Sequence, residues 1–284
     1  MHIGIFDSGF GGLTIFKSIR ERLPRYDYIY MGDNARTPYG SRSFDAILRF
    51  TRECLEELFA RDCKLVVIAC NTASSKALRT LQQKVMPVEH PDRKVLGIIR
   101  PSAEALSQHP RDRAVALWAT EGTVKSQSFA LEMDKLAPGL RLIQKACPLL
   151  VPMVEAGELE GVGIDHYIGK YWRETLALAA ASFPHSPPSS QSSAGKPGDI
   201  GALLLACTHY PLLFPRIRAL VPADVQILVQ GDIVAPSLAD YLRRHPEIES
   251  VLTRNGSQRF LTTDQTEGFD RLSEVFLGHP VVSE

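Results

Sequence analysis

Short apolar runs alternate with longer amphipathic ones along this chain. Runs of strand length fall at residues 3–6, 28–31, 65–69, 95–98, 115–118, 141–143, 202–206 and 225–229. Between them, apolar positions recur at helical spacing over residues 13–22, 44–60, 74–84, 123–135, 165–182 and 233–245. A strand buried on both faces reads as a continuous apolar run, and a crossover helix is the usual return to a parallel neighbour. The alternation predicts an α/β fold with parallel sheets built from βαβ units, whose ligands gather at the carboxyl ends of the strands. Two stretches break the pattern. Residues 183–199 are almost devoid of apolar side chains and read as a mobile surface insertion, because a strand and a motif follow at once. From Asn255-Gly256 onward the chain reads as a hairpin region, with residues 257–262 adding a late strand.

Length and composition narrow the picture. With 284 residues the chain has room for two α/β domains of ordinary size. Hydrophobic residues at 44% and charged residues at 23% have the balance of a soluble globular protein. Lys plus Arg equals Asp plus Glu at 32 each, which gives no overall basic field for nucleic acid or an anionic membrane. Small-molecule chemistry is the better expectation. The start, Met1-His2-Ile3-Gly4-Ile5-Phe6, lacks the basic segment and long apolar stretch of a signal peptide, and no run reaches the roughly 18 to 20 apolar residues of a membrane span. Five cysteines, without Cys-x-x-Cys pairs or zinc-ligand spacing, predict reduced thiols in a cytoplasmic protein and no metal.

An internal echo carries the chemistry. Leu65-Val66-Val67-Ile68-Ala69-Cys70-Asn71-Thr72 matches Ala202-Leu203-Leu204-Leu205-Ala206-Cys207-Thr208-His209: each is an apolar strand ending in Ala-Cys, then small or polar hydrogen-bonding residues. A lone cysteine at a strand end is more often a packing residue. Two in matching contexts shift the balance toward a pair of reacting thiols, whereas Cys54, Cys63 and Cys147 sit in amphipathic or apolar surroundings and are assigned to packing. Racemisation needs a base that removes an α-proton and an acid that returns one to the opposite face, and a thiol can do either. A free thiol, with a pKa of about 8.5, is only slightly ionised near neutrality, so each needs local help. His209 stands two residues after Cys207, where it can take or share a proton; the plainer reading is a turn histidine. Asp7 ends the first strand ahead of Ser8-Gly9-Phe10-Gly11-Gly12 and points to the same strand-end region; the plainer reading is a helix cap. That Gly-rich turn lacks the third glycine of a dinucleotide site, and no Gly-Lys-Ser/Thr follows, so nucleotide binding is rejected.

At these residues the chain resembles the glutamate racemases of the aspartate/glutamate racemase family. The resemblance rests on Phe6-Asp7-Ser8-Gly9-Phe10-Gly11-Gly12-Leu13, Gly32-Asp33 with Pro38-Tyr39-Gly40, and Ala69-Cys70-Asn71-Thr72-Ala73-Ser74. It continues through Ala119-Thr120-Glu121-Gly122-Thr123, Cys147-Pro148, Val154-Glu155 and Ala206-Cys207-Thr208-His209-Tyr210-Pro211. The resemblance implies two similar parallel-sheet domains related by a pseudo-twofold axis, with the active site in the cleft between them. The first would hold residues 1–100 and 211–284, the second residues 101–210. It implies Cys70 and Cys207 as the acid–base pair, supported by Asp7 and His209, without a cofactor. Asp7, Ser8, Tyr39, Gly40, Asn71, Thr72, Thr208 and His209 would hold the amino acid, with Thr120, Thr123 and Glu155 near the pocket; for the threonines and Glu155 the plainer reading is turn capping.

The implied reaction is the interconversion of L-glutamate and D-glutamate for peptidoglycan synthesis, by a possible homodimer that binds neither nucleic acid nor membrane. Aspartate racemase is the near alternative, but relatives of that kind tend to carry a carboxylate where His209 stands. Activator-dependent relatives carry extra residues before the first strand; here Ile3 opens it almost at once, so activation by a cell-wall precursor is not expected. The chain departs from the family pattern at Ala206, Pro101-Ser102 and Leu117-Trp118, none of which removes a reacting group. A Cys-His hydrolase would use Cys207 with His209 but leave Cys70 unexplained. A binding role toward DNA gyrase, known for some members, finds no support in the neutral charge.

Overall fold

The structure is a computed structural model that describes residues 1–182 and 199–284. The polar insertion expected at 183–199 lies, apart from Asp199, outside the described residues. Along the chain run β1 (His2–Asp7), α1 (Gly12–Arg22), β2 (Tyr28–Gly32), α2 (Phe44–Ala60), β3 (Cys63–Ile68), α3 (Asn71–Lys76), β4 (Lys94–Gly97) and α4 (Ile99–Ser107). Next come β5 (Ala114–Ala119), α5 (Glu121–Ser126), α6 (Ser128–Leu136), β6 (Leu142–Ala146), α7 (Leu150–Glu155) and α8 (Val162–Ser182). The chain ends with β7 (Ile200–Ala206), α9 (Phe214–Leu220), β8 (Gln226–Val229), α10 (Gln230–Arg244), β9 (Gln258–Thr262) and α11 (Thr266–Leu277). Among the described residues no helix is long and apolar enough to cross a membrane.

Two compact units result: Met1–Pro101 with Gln230–Glu284, and Ser102–Val229. The first is built on a five-stranded sheet of order β4-β3-β1-β2-β9, the second on a four-stranded sheet of order β6-β5-β7-β8. Every strand pair in both sheets is parallel. Their interior strands are apolar on both faces: Ile3, Ile5 and Phe6 of β1 and Ala202 to Ala206 of β7 are fully buried. In the second unit Trp118 is buried in β5, where its indole N–H donates to Thr175 Oγ1 at 2.9 Å.

The structure corrects three expectations. Residues 211–229 belong with the second unit, because β8 pairs with β7 and covers what would otherwise be an open edge of a fully buried strand. The Asn255-Gly256 turn does not close a hairpin. Asp27, at the entrance to β2, accepts from the Asn255 and Ser257 backbone N–H groups, the Asn255 amide and the Ser257 hydroxyl. Gly256, at φ +69°, bends the chain between them, and β9 then joins β2 in parallel, Tyr28 opposite Gln258. The third correction concerns helices read as continuous. Gln127, in the left-handed region, separates α5 from α6, and the run after α3 passes through a wider π-helical turn at Leu81–Val85 just ahead of Pro87, which has no N–H to donate.

Candidate functional site

Parallel pairing puts the ends of β1, β2 and β3 on one edge of the first sheet. There Cys70, 6% exposed, follows β3 and caps α3, its sulfur accepting from the Ala73 N–H at 3.4 Å. Ser8, just after the neighbouring β1, places its hydroxyl 3.3 Å from the same sulfur. Burial pushes the Cys70 thiol up to about 12 and the Asp7 carboxylate adds to the rise, while the Ser8 hydroxyl and the Ala73 and Ser8 N–H groups pull against it. Asp7 ends β1 with Oδ2 accepting from the Gly9 N–H at 2.9 Å. Gly12 is required behind it: a Cβ there would stand 2.5 Å from the Asp7 Cβ.

The other expected residues of this unit are placed as follows. Asn71 and Thr72 are buried directly after Cys70, and the Asn71 side chain forms an amide pair with Gln230. Tyr39 is buried in the loop after β2, between the rings of Phe6 and Phe50, with its hydroxyl donating to Asp33; Gly40 follows it, half-buried. Burial first, and then the Asp33 carboxylate, raise the Tyr39 phenol well above its ordinary value. Asp33, in the Gly32-Asp33 motif, holds this loop in place. In the structure it is fully buried and also accepts from Arg36 Nε, at 2.9 and 2.7 Å, and from Thr263 Oγ1 at 2.8 Å. It is therefore the anchor of the Tyr39 loop.

In the second unit Cys207, 5% exposed, follows β7 as Cys70 follows β3, and both strands are interior in their sheets. His209 Nδ1 lies 4.0 Å from the Cys207 sulfur, and its Nε2 lies 3.0 Å from Glu155 Oε1 at the end of α7. The first distance is at the outer limit for a hydrogen bond to sulfur, so Glu155 is the firmer partner. Burial lowers the His209 pKa, but the interactions with Cys207 and Glu155 outweigh it and raise it to about 10. His209 is thus an imidazolium near neutrality, and Glu155 serves it rather than a local turn.

Thr120 caps α5, accepting from the Thr123 N–H at 3.2 Å, and the two threonine hydroxyls are 3.1 Å apart at the end of β5, next to β7. Thr208 is buried beside Cys207. Tyr210, which the sequence marks only as part of a motif, is fully buried: its hydroxyl donates to the Cys147 carbonyl at 2.9 Å and lies 3.3 Å from the Ala119 carbonyl, tying together the ends of β5 and β6. All five cysteines, Cys54, Cys63 and Cys147 among them, are free and buried. Among the described residues no group of three or more His, Cys, Asp or Glu could hold a metal ion.

A glutamate racemase from Ruegeria pomeroyi is 36% identical over 287 residues, covering 98% of this chain and 97% of the relative. The chain belongs to the glutamate racemase family. A crystal structure of a glutamate racemase from Bacillus anthracis superposes with a TM-score of 0.83 at 29% identity, covering 100% of this chain and 96% of that one. Another, from Francisella tularensis and solved in complex with D-glutamate, gives 0.80 at 29% identity, with the same coverage of each chain. No protein-family model matches the chain.

Proposed function

We propose that this protein interconverts L-glutamate and D-glutamate by direct proton transfer between substrate Cα and two thiols, Cys70 and Cys207. The observation that carries the reading is the matching pair of strand-end cysteines, each beside its own titratable partner: Cys70 with Asp7 and Ser8, Cys207 with His209 and Glu155. Family membership and a relative solved with D-glutamate support the substrate. His209 after Cys207-Thr208 favours glutamate over aspartate.

The two surroundings differ. Cys70, pushed up to about 12, rests as a thiol and can donate; His209 stands with Nδ1 4.0 Å from the Cys207 sulfur, where it can share a proton with the opposite thiol. A thiolate removes the α-proton on one face, and the opposite thiol delivers its own proton to the other face. The thiol and thiolate then stand exchanged, which is the state that serves the reverse reaction. Substrate lowers the barrier at Cys70: an ammonium placed against Asp7 offsets the carboxylate that disfavours the Cys70 thiolate. Ser8, Asn71, Thr72 and Thr208 supply donors for carboxylates, Tyr39 and Gly40 shape the loop beside them, and Thr120, Thr123 and Glu155 complete the second unit's share. No step calls for a cofactor. By family resemblance the D-glutamate supplies peptidoglycan synthesis in the cytoplasm, and the active form is a homodimer.

The test is exchange in deuterated water, following α-proton loss and circular dichroism with both glutamates and both aspartates. Racemisation of glutamate with deuterium uptake, abolished in C70S and in C207S, is expected. Activity on aspartate alone would overturn the substrate, and absence of exchange in folded, reduced protein would overturn the reaction.

A further inference from the structure

Asn71 is the residue after Cys70, and both ends of its amide are engaged by one partner. Its Nδ2 donates to Gln230 Oε1 at 2.6 Å, and Gln230 Nε2 donates back to Asn71 Oδ1 at 3.1 Å. The residues are 3% and 1% exposed, so the ring of two hydrogen bonds is closed off from water. Gln230 is the first residue of α10, where the chain re-enters the first unit, yet its side chain is directed 159 positions back along the sequence. Nearby glycine keeps the junction tight: a Cβ at Gly231 would stand 2.3 Å from Ser18 Oγ.

We infer that Gln230 is a positioning residue that fixes which end of the Asn71 amide is presented to substrate. The inference rests on the proposed function, in which Asn71 helps to hold the amino acid. A primary amide is nearly symmetric in shape but opposite in chemistry at its two ends. Turning Asn71 over would set N–H against N–H and oxygen against oxygen, so neither amide turns without the other. The pair uses one of the two Nδ2 hydrogens and leaves the second with a fixed direction, which suits a carboxylate and repels an ammonium. Two neutral amides contribute little more to stability than apolar groups of the same shape, so orientation is what they add. Neutrality matters as well. A carboxylate in place of Gln230 would accept from Nδ2 but repel Oδ1, and would bring a negative charge to the residue beside Cys70, which Asp7 already disfavours as thiolate.

Q230L and Q230E test this, with melting temperature, kcat and KM measured for both glutamate enantiomers from pH 6 to 9. Q230L is expected to raise KM about tenfold for both enantiomers while kcat changes less than threefold, because loss of alignment weakens binding before it weakens proton transfer. Q230E carries the second readout. As a neutral acid it donates to Asn71 Oδ1 as glutamine does, so its KM, relative to the parent, should lie near one at pH 6 and climb as pH rises. That ratio keeps the test alive if Q230L does not fold. An active parent whose KM ignores Q230L, or a Q230E ratio that stays near one at every pH, would overturn the positioning role and leave the proposed function standing. A parent that does not racemise glutamate would overturn both.

Discussion

Replacing Glu155 with glutamine (E155Q) keeps the side chain's shape and an oxygen facing His209 but removes its charge. The two groups are 3.0 Å apart, with side chains 29% and 10% exposed. Two full charges about 4 Å apart interact by about 4 kcal/mol at an effective dielectric near 20. Water at the open edge of Glu155 screens that figure, and a hydrogen bond to a charged group exceeds a neutral one by only about 1 to 1.5 kcal/mol. The smaller value governs, because the amide oxygen still accepts from Nε2. It corresponds to roughly one pKa unit, which carries His209 from about 10 to roughly 9. The assay is a carbon-13 NMR titration of labelled histidine rings from pH 6 to 11, the His209 signal assigned among eight histidines through H209Q. The sign on stability follows. The folded value lies above the ordinary 6.5, so the pair's contribution is complete below that pH and is lost as pH rises through about 10. The gap in melting temperature between parent and E155Q should therefore be widest near neutrality and close above pH 10. A His209 that titrates near 6.5 in the parent, or at one pH in both proteins, would refute the imidazolium assignment.

S8A removes the hydroxyl 3.3 Å from the Cys70 sulfur, a bond worth about 1 kcal/mol; iodoacetamide labelling of Cys70 at pH 8, followed by peptide mapping, should slow by roughly fivefold, and unchanged labelling would show that Ser8 does not support the thiolate. At Asp27, burial works to raise the carboxyl, but hydrogen bonds from Thr253, Ser257 and Asn255 outweigh it and hold the group below the ordinary 3.8. Its stabilisation is present above that value and lost as pH falls through the lower folded one, so D27N should cost about 2 kcal/mol in urea unfolding at pH 7, with a smaller difference at pH 3; equal losses at both would contradict the linkage.

Why the fold was legible in places and opaque in others is a matter of proline and of sheet edges. Interior strands such as β1, β3, β5 and β7 are apolar on both faces and announce themselves as unbroken runs. Helices α4, α7 and α9, which the apolar periodicity does not mark, each carry a proline: Pro101, Pro152 and Pro215. Each lies within the first turn, where the missing N–H has no intrahelical acceptor to disappoint. The boundary at 210 failed for a different reason. It came from the family resemblance, whereas a strand buried as completely as β7 needs a neighbour on each side, and only β8 supplies the second.

The site divides along the same line between local and tertiary information. Cys70 and Cys207 stand out in the sequence because each follows an interior strand, and that position leaves the same Ala-Cys signature in two places. Their supports could not all be found this way. Glu155 meets His209 across 54 positions and Gln230 meets Asn71 across 159, and nothing local marks either pair. The supports are also where the symmetry of the echo ends. At one thiol, burial and the Asp7 carboxylate hold the proton on sulfur; at the other stands an imidazolium. A chemically symmetric reaction needs one thiol and one thiolate at the outset, and two identical surroundings would give both the same state. In the proposed reaction, unlike partners behind like cysteines remove that degeneracy: the repeated motif would supply the two reacting groups and the unrepeated residues would set them apart.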